Sequence, residues 1–68
     1  MQIVEATRTF SAPPANPKLG NSIQIKEGTI GELGSLIPNT KQAWVQFARE
    51  NTGAVWVATA VSDYRVVA

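Results

Sequence analysis

The sequence predicts one small, mainly antiparallel β domain. Short runs of alternating apolar and polar residues, rich in Val, Ile, Thr and aromatics, recur along the 68-residue chain, and these side chains suit a half-buried pleated surface. Clusters of Pro, Gly and Asn punctuate them at short intervals, as turns between strands do.

Taken in order, Met1 to Phe10 reads as a first strand, with Val4, Ala6 and Phe10 set against Glu5, Thr7 and Thr9. Ser11 to Asn21 reads as a long loop, because Pro13, Pro14 and Pro17 exclude a central strand. Within it, Ala12-Pro13-Pro14 is expected to be locally extended, like polyproline II. Ser22 to Lys26 alternates again and puts Ile23 and Ile25 on one face. Gly28 interrupts the run, and Thr29 to Gly34 resumes it. Gly28, Gly31 and Gly34 predict one strongly bent strand, since glycine in a strand often marks a bulge or a sharp corner. Leu36 to Gln42, with Pro38 and Asn39, reads as a loop.

Ala43 to Phe47 admits two readings. As a strand, it places Ala43, Val45 and Phe47 on one face, with Trp44 and Gln46 opposite. As a helix over about 40–51, it places Ala43, Trp44, Phe47 and Ala48 together, with Asn39 and Gln42 as a capping pair and Gly53 as the stop. The helix would make the domain α+β. The next segment favours the strand: Ala54 to Ala58 is β-rich, and Asn51-Thr52-Gly53 between two such runs is a hairpin signal. Thr59 to Asp63 is then a short turn with one 3₁₀ turn, and Tyr64 to Val67 a last strand.

The resulting order is strand, long loop, bent strand, loop, strand, tight turn, strand, 3₁₀ turn, strand. It resembles that of a five-stranded SH3-like small barrel, formed as one domain over residues 1–68 with a Pro-rich loop at 11–21. Ile23-Gln24-Ile25, Gly31-Glu32-Leu33, Ala43-Trp44-Val45-Gln46-Phe47 and Val55-Trp56-Val57 resemble the small SH3-like barrels of bacteria. The O-type accessory subunit of the photosynthetic NAD(P)H dehydrogenase-like complex is one type, and the resemblance covers about residues 19 to 67. It implies a barrel that serves as an accessory subunit. Asn21-Ser22-Ile23, Gly28, Gly31-Glu32 and the Val-Val-Ala ending are also similar to type II dihydrofolate reductase. That family lines a shared pore with a Val-Gln-Ile-Tyr strand. The matching positions here are Val55, Trp56, Val57 and Ala58, so its Gln and Tyr are missing and its activity does not carry over. Signalling SH3 domains grip proline peptides with a tyrosine-rich first loop. That loop has no aromatic residue here.

Composition narrows the chemistry. A chain of this length buries only about 60% of the surface its unfolded form exposes, and such a core supplies only about 3–5 kcal/mol. There is no cysteine to staple it and no histidine. A thiolate metal site and a Ser-His nucleophile are therefore excluded. Self-association or a partner protein is the expected source of extra stability. Net charge is +1, with 16% charged and 44% apolar residues, and the bases are scattered rather than striped. Nucleic acid thus ranks behind a protein partner. Glu27, Glu32 and Glu50 are not spaced as a catalytic pair and read as solvated surface. Gly28-Thr29-Ile30-Gly31 lacks the Gly-Lys-Ser/Thr ending of a phosphate loop. No catalytic residue, cofactor or metal is expected. No apolar run approaches the roughly 20 residues that span a bilayer, and a cytoplasmic protein of a bacterium or phage is the expectation.

The candidate binding residues are Trp44, Trp56, Gln46 and Arg65. If Val45, Phe47, Val55 and Val57 face the core, both tryptophans point outward on one hairpin face as neighbouring or diagonal partners. Exposed tryptophan is the residue type most enriched in binding hot spots. The competing expectation is that one ring packs under the long first loop. Gln46 shares the outward face, and Arg65 with Tyr64 would add a polar rim. The same rings could stack on bases, with Lys26, Lys41 and Arg49 as phosphate contacts.

Overall fold

In the computed structural model, which describes residues 2–49 and 53–68, the chain forms seven strands and two 3₁₀ turns. The strands are β1 (Ile3–Ala6), β2 (Phe10–Ala12), β3 (Ile23–Ile25), β4 (Ile30–Leu36), β5 (Gln42–Arg49), β6 (Gly53–Ala60) and β7 (Tyr64–Val66). The 3₁₀ turns are Pro17–Leu19 and Val61–Asp63. Five strands make one antiparallel sheet in the order β6-β5-β4-β1-β7, and β2 and β3 pair as a separate two-stranded ribbon.

The segment 42–49 is a strand, and the helix over 40–51 does not form. β5 pairs residue for residue with β6, from Gln42 opposite Ala60 to Arg49 opposite Gly53. Its burial alternates as a strand's must: Ala43, Val45 and Phe47 are buried, while Trp44 and Gln46 are half-buried. Asn51 and Thr52, two of the three residues of the hairpin signal, lie outside the described residues, as do Glu50 and Met1.

Two strands expected to be continuous are each divided. The first ends at Ala6, and the chain starts β2 at Phe10 after a break at Thr7–Thr9. The single bent strand over 22–34 is really β3 and β4, in different sheets. A turn separates them at Lys26–Thr29, where Gly28 adopts φ 88°, a conformation that costs glycine nothing. Thr29 closes this turn by donating Oγ1–H to the Lys26 carbonyl at 2.6 Å, and Gly28 N–H donates to Ala6 O at 2.9 Å. The first loop is shorter than 11–21, because Ser11 and Ala12 belong to β2. A bulge does occur in β4, but later, between Leu33 and Leu36.

The core lies between the inner face of the sheet and the ribbon. Val4 and Ala6 of β1, Val45 and Phe47 of β5, and Val55 and Val57 of β6 meet Phe10, Ala12, Ile23 and Ile25 of the ribbon. Phe10 sets its ring edge-on to that of Phe47, with centroids 6.0 Å apart, a favoured aromatic geometry. Gly31 makes this possible. A Cβ there would lie 2.7 Å from the Gln46 carbonyl oxygen and 2.9 Å from the Phe47 ring.

Backbone bonds tie the ribbon's flanks to the sheet. Beyond β2, Ala58 N–H donates to Pro13 O at 3.0 Å and Ala15 N–H donates to Trp56 O at 2.8 Å. The extended Pro13–Ala15 segment therefore runs along the edge of β6. On the other flank, Thr7 N–H donates to Asp63 O at 2.9 Å. Beside it Arg8 donates Nε–H to Oδ1 and Nη2–H to Oδ2 of Asp63, at 2.6 and 3.3 Å. Asp63 is buried while Arg8 is exposed. The hydrogen bond to Asp63 and its negative charge raise the Arg8 pKa above the ordinary arginine value. Because it is raised, the Arg8 contribution is lost as pH rises through that raised value, in strong alkali.

Phe47→Ala should cost about 3–5 kcal/mol, as for other fully buried aromatics. Gly31→Ala should cost about 1–3 kcal/mol, since the crowding atom is a backbone oxygen that cannot rotate away. Urea unfolding measures both. Arg8→Ala and Asp63→Asn should each lower Tm, with the double variant losing less than the sum of the two.

Candidate functional site

The outward face of the large sheet presents Trp44, Gln46 and Ala48 from β5. It presents Ala54, Trp56 and Ala58 from β6, and Ile30, Glu32 and Gly34 from β4. Register fixes their neighbours. Trp56 stands opposite Gln46, and Gln46 opposite Glu32. Trp44 stands opposite Ala58, so the two tryptophans are diagonal partners on adjacent strands. This is the arrangement the alternation predicts.

The rings are held by a gap in β4. Gly34 is the residue over which the Trp56 indole lies: a Cβ on Gly34 would fall 2.5 Å from Trp56 Cζ3 and 2.9 Å from the Trp44 carbonyl oxygen. Trp56 therefore leans diagonally across β5 towards β4, between the rows of Trp44 and Gln46. One side of its indole rests on this backbone, and the residue stays 37% exposed. Trp44 is half-buried.

A cleft of about 290 Å³ opens here, lined by Ala15, Gly34, Ser35, Trp44 and Trp56. Both expectations for the tryptophans meet in it. The rings face outward, and the first loop supplies one wall through Ala15. The β4 bulge lies at its edge, so Gly34 and Ser35 drop out of the pairing that joins Leu33 to Val45 and Leu36 to Ala43. Ser35 and Gly34 were not legible as site residues. A glycine inside a strand pattern signals a close approach, but nothing in the sequence says which ring approaches.

Among the described residues, neither indole N–H has a hydrogen-bond partner, and the side chains of Ser35, Gln46 and Glu32 have none either. Trp44, Gln46 and Glu32 are half-buried, and none of them holds a buried side-chain nitrogen or oxygen without a partner, so their polar groups reach solvent. The cleft thus combines apolar ring surface with the uncommitted Ser35 hydroxyl and indole N–H groups, and Gln46 and Glu32 lie beside it on the same face.

The other predicted site residue, Arg65, is elsewhere. It stands on β7, the edge strand opposite β6, and does not rim the tryptophans. Arg65 donates Nε–H and Nη2–H to Glu5 Oε1 at 3.0 and 2.7 Å, across the Glu5–Arg65 register pair. The two line a separate depression of about 390 Å³ with Ala6, Thr7, Glu27 and Gly28. Lys26, Lys41 and Arg49 do not line the tryptophan cleft.

No family model, curated protein or solved structure matches this chain. Among the described residues, no helix is long and apolar enough to cross a membrane.

Gly34→Ala should push the Trp56 ring off β4. The expected result is a red-shifted tryptophan emission, as the ring gains contact with water, with a smaller loss of stability than Gly31→Ala causes. Fluorescence and urea unfolding of the same samples test this.

Proposed function

We propose that this chain is a non-catalytic interaction module or accessory subunit of a bacterial or phage protein assembly. It acts in the cytoplasm and binds through the aromatic face of the β5–β6 hairpin. The observation that carries the reading is the open cleft in which Trp44 and Trp56 lie together on the outer sheet face. Tryptophan in such a setting offers large, rigid contact area and an N–H donor at little entropic cost. The exposed alanines Ala48 and Ala54 and the exposed Ile30 continue the apolar surface beyond the cleft.

The fold we propose is an SH3-like small barrel. The order β6-β5-β4-β1-β7, the ribbon between β1 and β4 and the 3₁₀ turn before β7 support it. The backbone bonds from Pro13–Ala15 to β6 favour closure on that side.

Trp44→Ala combined with Trp56→Ala should abolish self-association or complex formation while the circular dichroism and cooperative unfolding remain. Sedimentation at several concentrations and pull-down from the native host check it. Unchanged behaviour of the double variant overturns the reading. Salt-dependent binding to a single-stranded oligonucleotide, lost in the same variant, would favour nucleic-acid binding instead.

A further inference from the structure

We infer that the partner presents a cationic side chain, arginine or lysine, to the cleft between Trp44 and Trp56, with Glu32 as the counter-charge. This rests on the aromatic-face reading above and names what that face selects.

The argument is one of charge and π-electron density. The indole face is the best aromatic surface for a cation, because its quadrupole is negative above the ring. Here two indoles border one cleft. Trp56 stays 37% exposed although the far end of its indole lies over Gly34. Glu32 lies in the same cross-strand row as Trp56, with Gln46 between them. It is two residues from Gly34 on the same strand and the same face. Glu32 is half-buried, and its carboxylate has no ion-pair partner among the described residues. Neither lysine nor arginine lines the cleft. On the outward face of the five strands, Arg65 is already held by Glu5. The cleft therefore offers two cation-attracting rings, and Glu32, which does not line it, sets one negative charge beside it in the Gln46–Trp56 row.

An acidic or phosphate-bearing ligand would meet Glu32 without a compensating base, so this environment repels it. A purely apolar side chain could fill the cleft but would leave the neighbouring Glu32 carboxylate without an ion-pair partner. An arginine satisfies both features. Its planar guanidinium stacks on indole and still has edge N–H groups for a carboxylate and for the Gln46 amide oxygen.

The test uses the full chain and four small probes: the N-acetyl amides of arginine, lysine, norleucine and glutamate. Nuclear magnetic resonance follows the two indole N–H signals. The arginine and lysine probes should shift both signals saturably. The norleucine probe should bind at least fivefold more weakly, and the glutamate probe should give no shift. Glu32→Gln should weaken the arginine probe roughly fivefold, the size expected of a partly exposed ion pair, and leave the norleucine probe unchanged. Equal affinity for arginine and norleucine, or an unaltered Glu32→Gln variant, overturns the cation preference while leaving the aromatic face standing. No response to any probe, together with assembly that survives Trp44→Ala with Trp56→Ala, overturns both. Larger shifts from a short oligo-dT than from either cationic probe would also overturn it, in favour of base stacking.

Discussion

The architecture depends on β4 being thin in two places. Gly31 faces inward and Gly34 outward, and each leaves room for an aromatic ring that reaches across from a neighbouring strand. A Cβ at either position would fall within 3 Å of both a ring atom and a backbone oxygen of β5. Phe47 uses the inner gap and so can lie under the ribbon and meet Phe10. Trp56 uses the outer gap and so brings Cζ3 and Cη2 of its indole over the Gly34 backbone. One strand thus sets both the centre of the core and the floor of the candidate site. The two are coupled through its backbone although they sit on opposite faces.

The rest of the fold compensates for a small core. The buried cluster consists mainly of Val, Ile and Ala, with Phe10 and Phe47 as its aromatic members. Such a core needs a cover, and the β2–β3 ribbon supplies one with Phe10, Ala12, Ile23 and Ile25. A two-stranded ribbon alone is marginal in water. It is held here by backbone bonds to β6 on one flank and by Arg8–Asp63 and Thr7–Asp63 on the other. Asp63 does two jobs: its carbonyl takes Thr7 N–H, and its buried carboxylate takes the Arg8 fork.

Much of this was legible in the sequence because a two-residue period is a direct record of facing. Ala43, Val45 and Phe47 in, Trp44 and Gln46 out, follow from alternation once a strand is assumed. The partner strand decided the helix alternative, since β6 pairs along all of β5. What alternation cannot report is where one strand stops and another starts. Thr7–Thr9 keeps strand-like composition across its break, and Gly28 in Lys26–Thr29 reads equally well as a bend within one strand, so only the diversion of Ala6, Thr29 and Gly28 into new backbone bonds shows the change of sheet. The same limit explains Arg65. Its outward direction follows from the pattern, but its neighbour depends on strand order, which places β7 beside β1 and gives it Glu5.

Facing also determines what the candidate site can change without cost to the fold. Trp44, Gln46 and Glu32 lie on the outer face, and the inner face keeps its own contacts whatever they become. Trp56 is less independent, because its backbone carbonyl accepts from Ala15 and its ring lies on Gly34. The carbonyl bond is made by backbone alone, so it does not depend on the Trp56 side chain. The ring contact does, and its loss bares the backbone around Gly34 and Ser35 at the bulge. Candidate site and fold are therefore separable at the side chains of β5 and linked at the glycine that Trp56 covers.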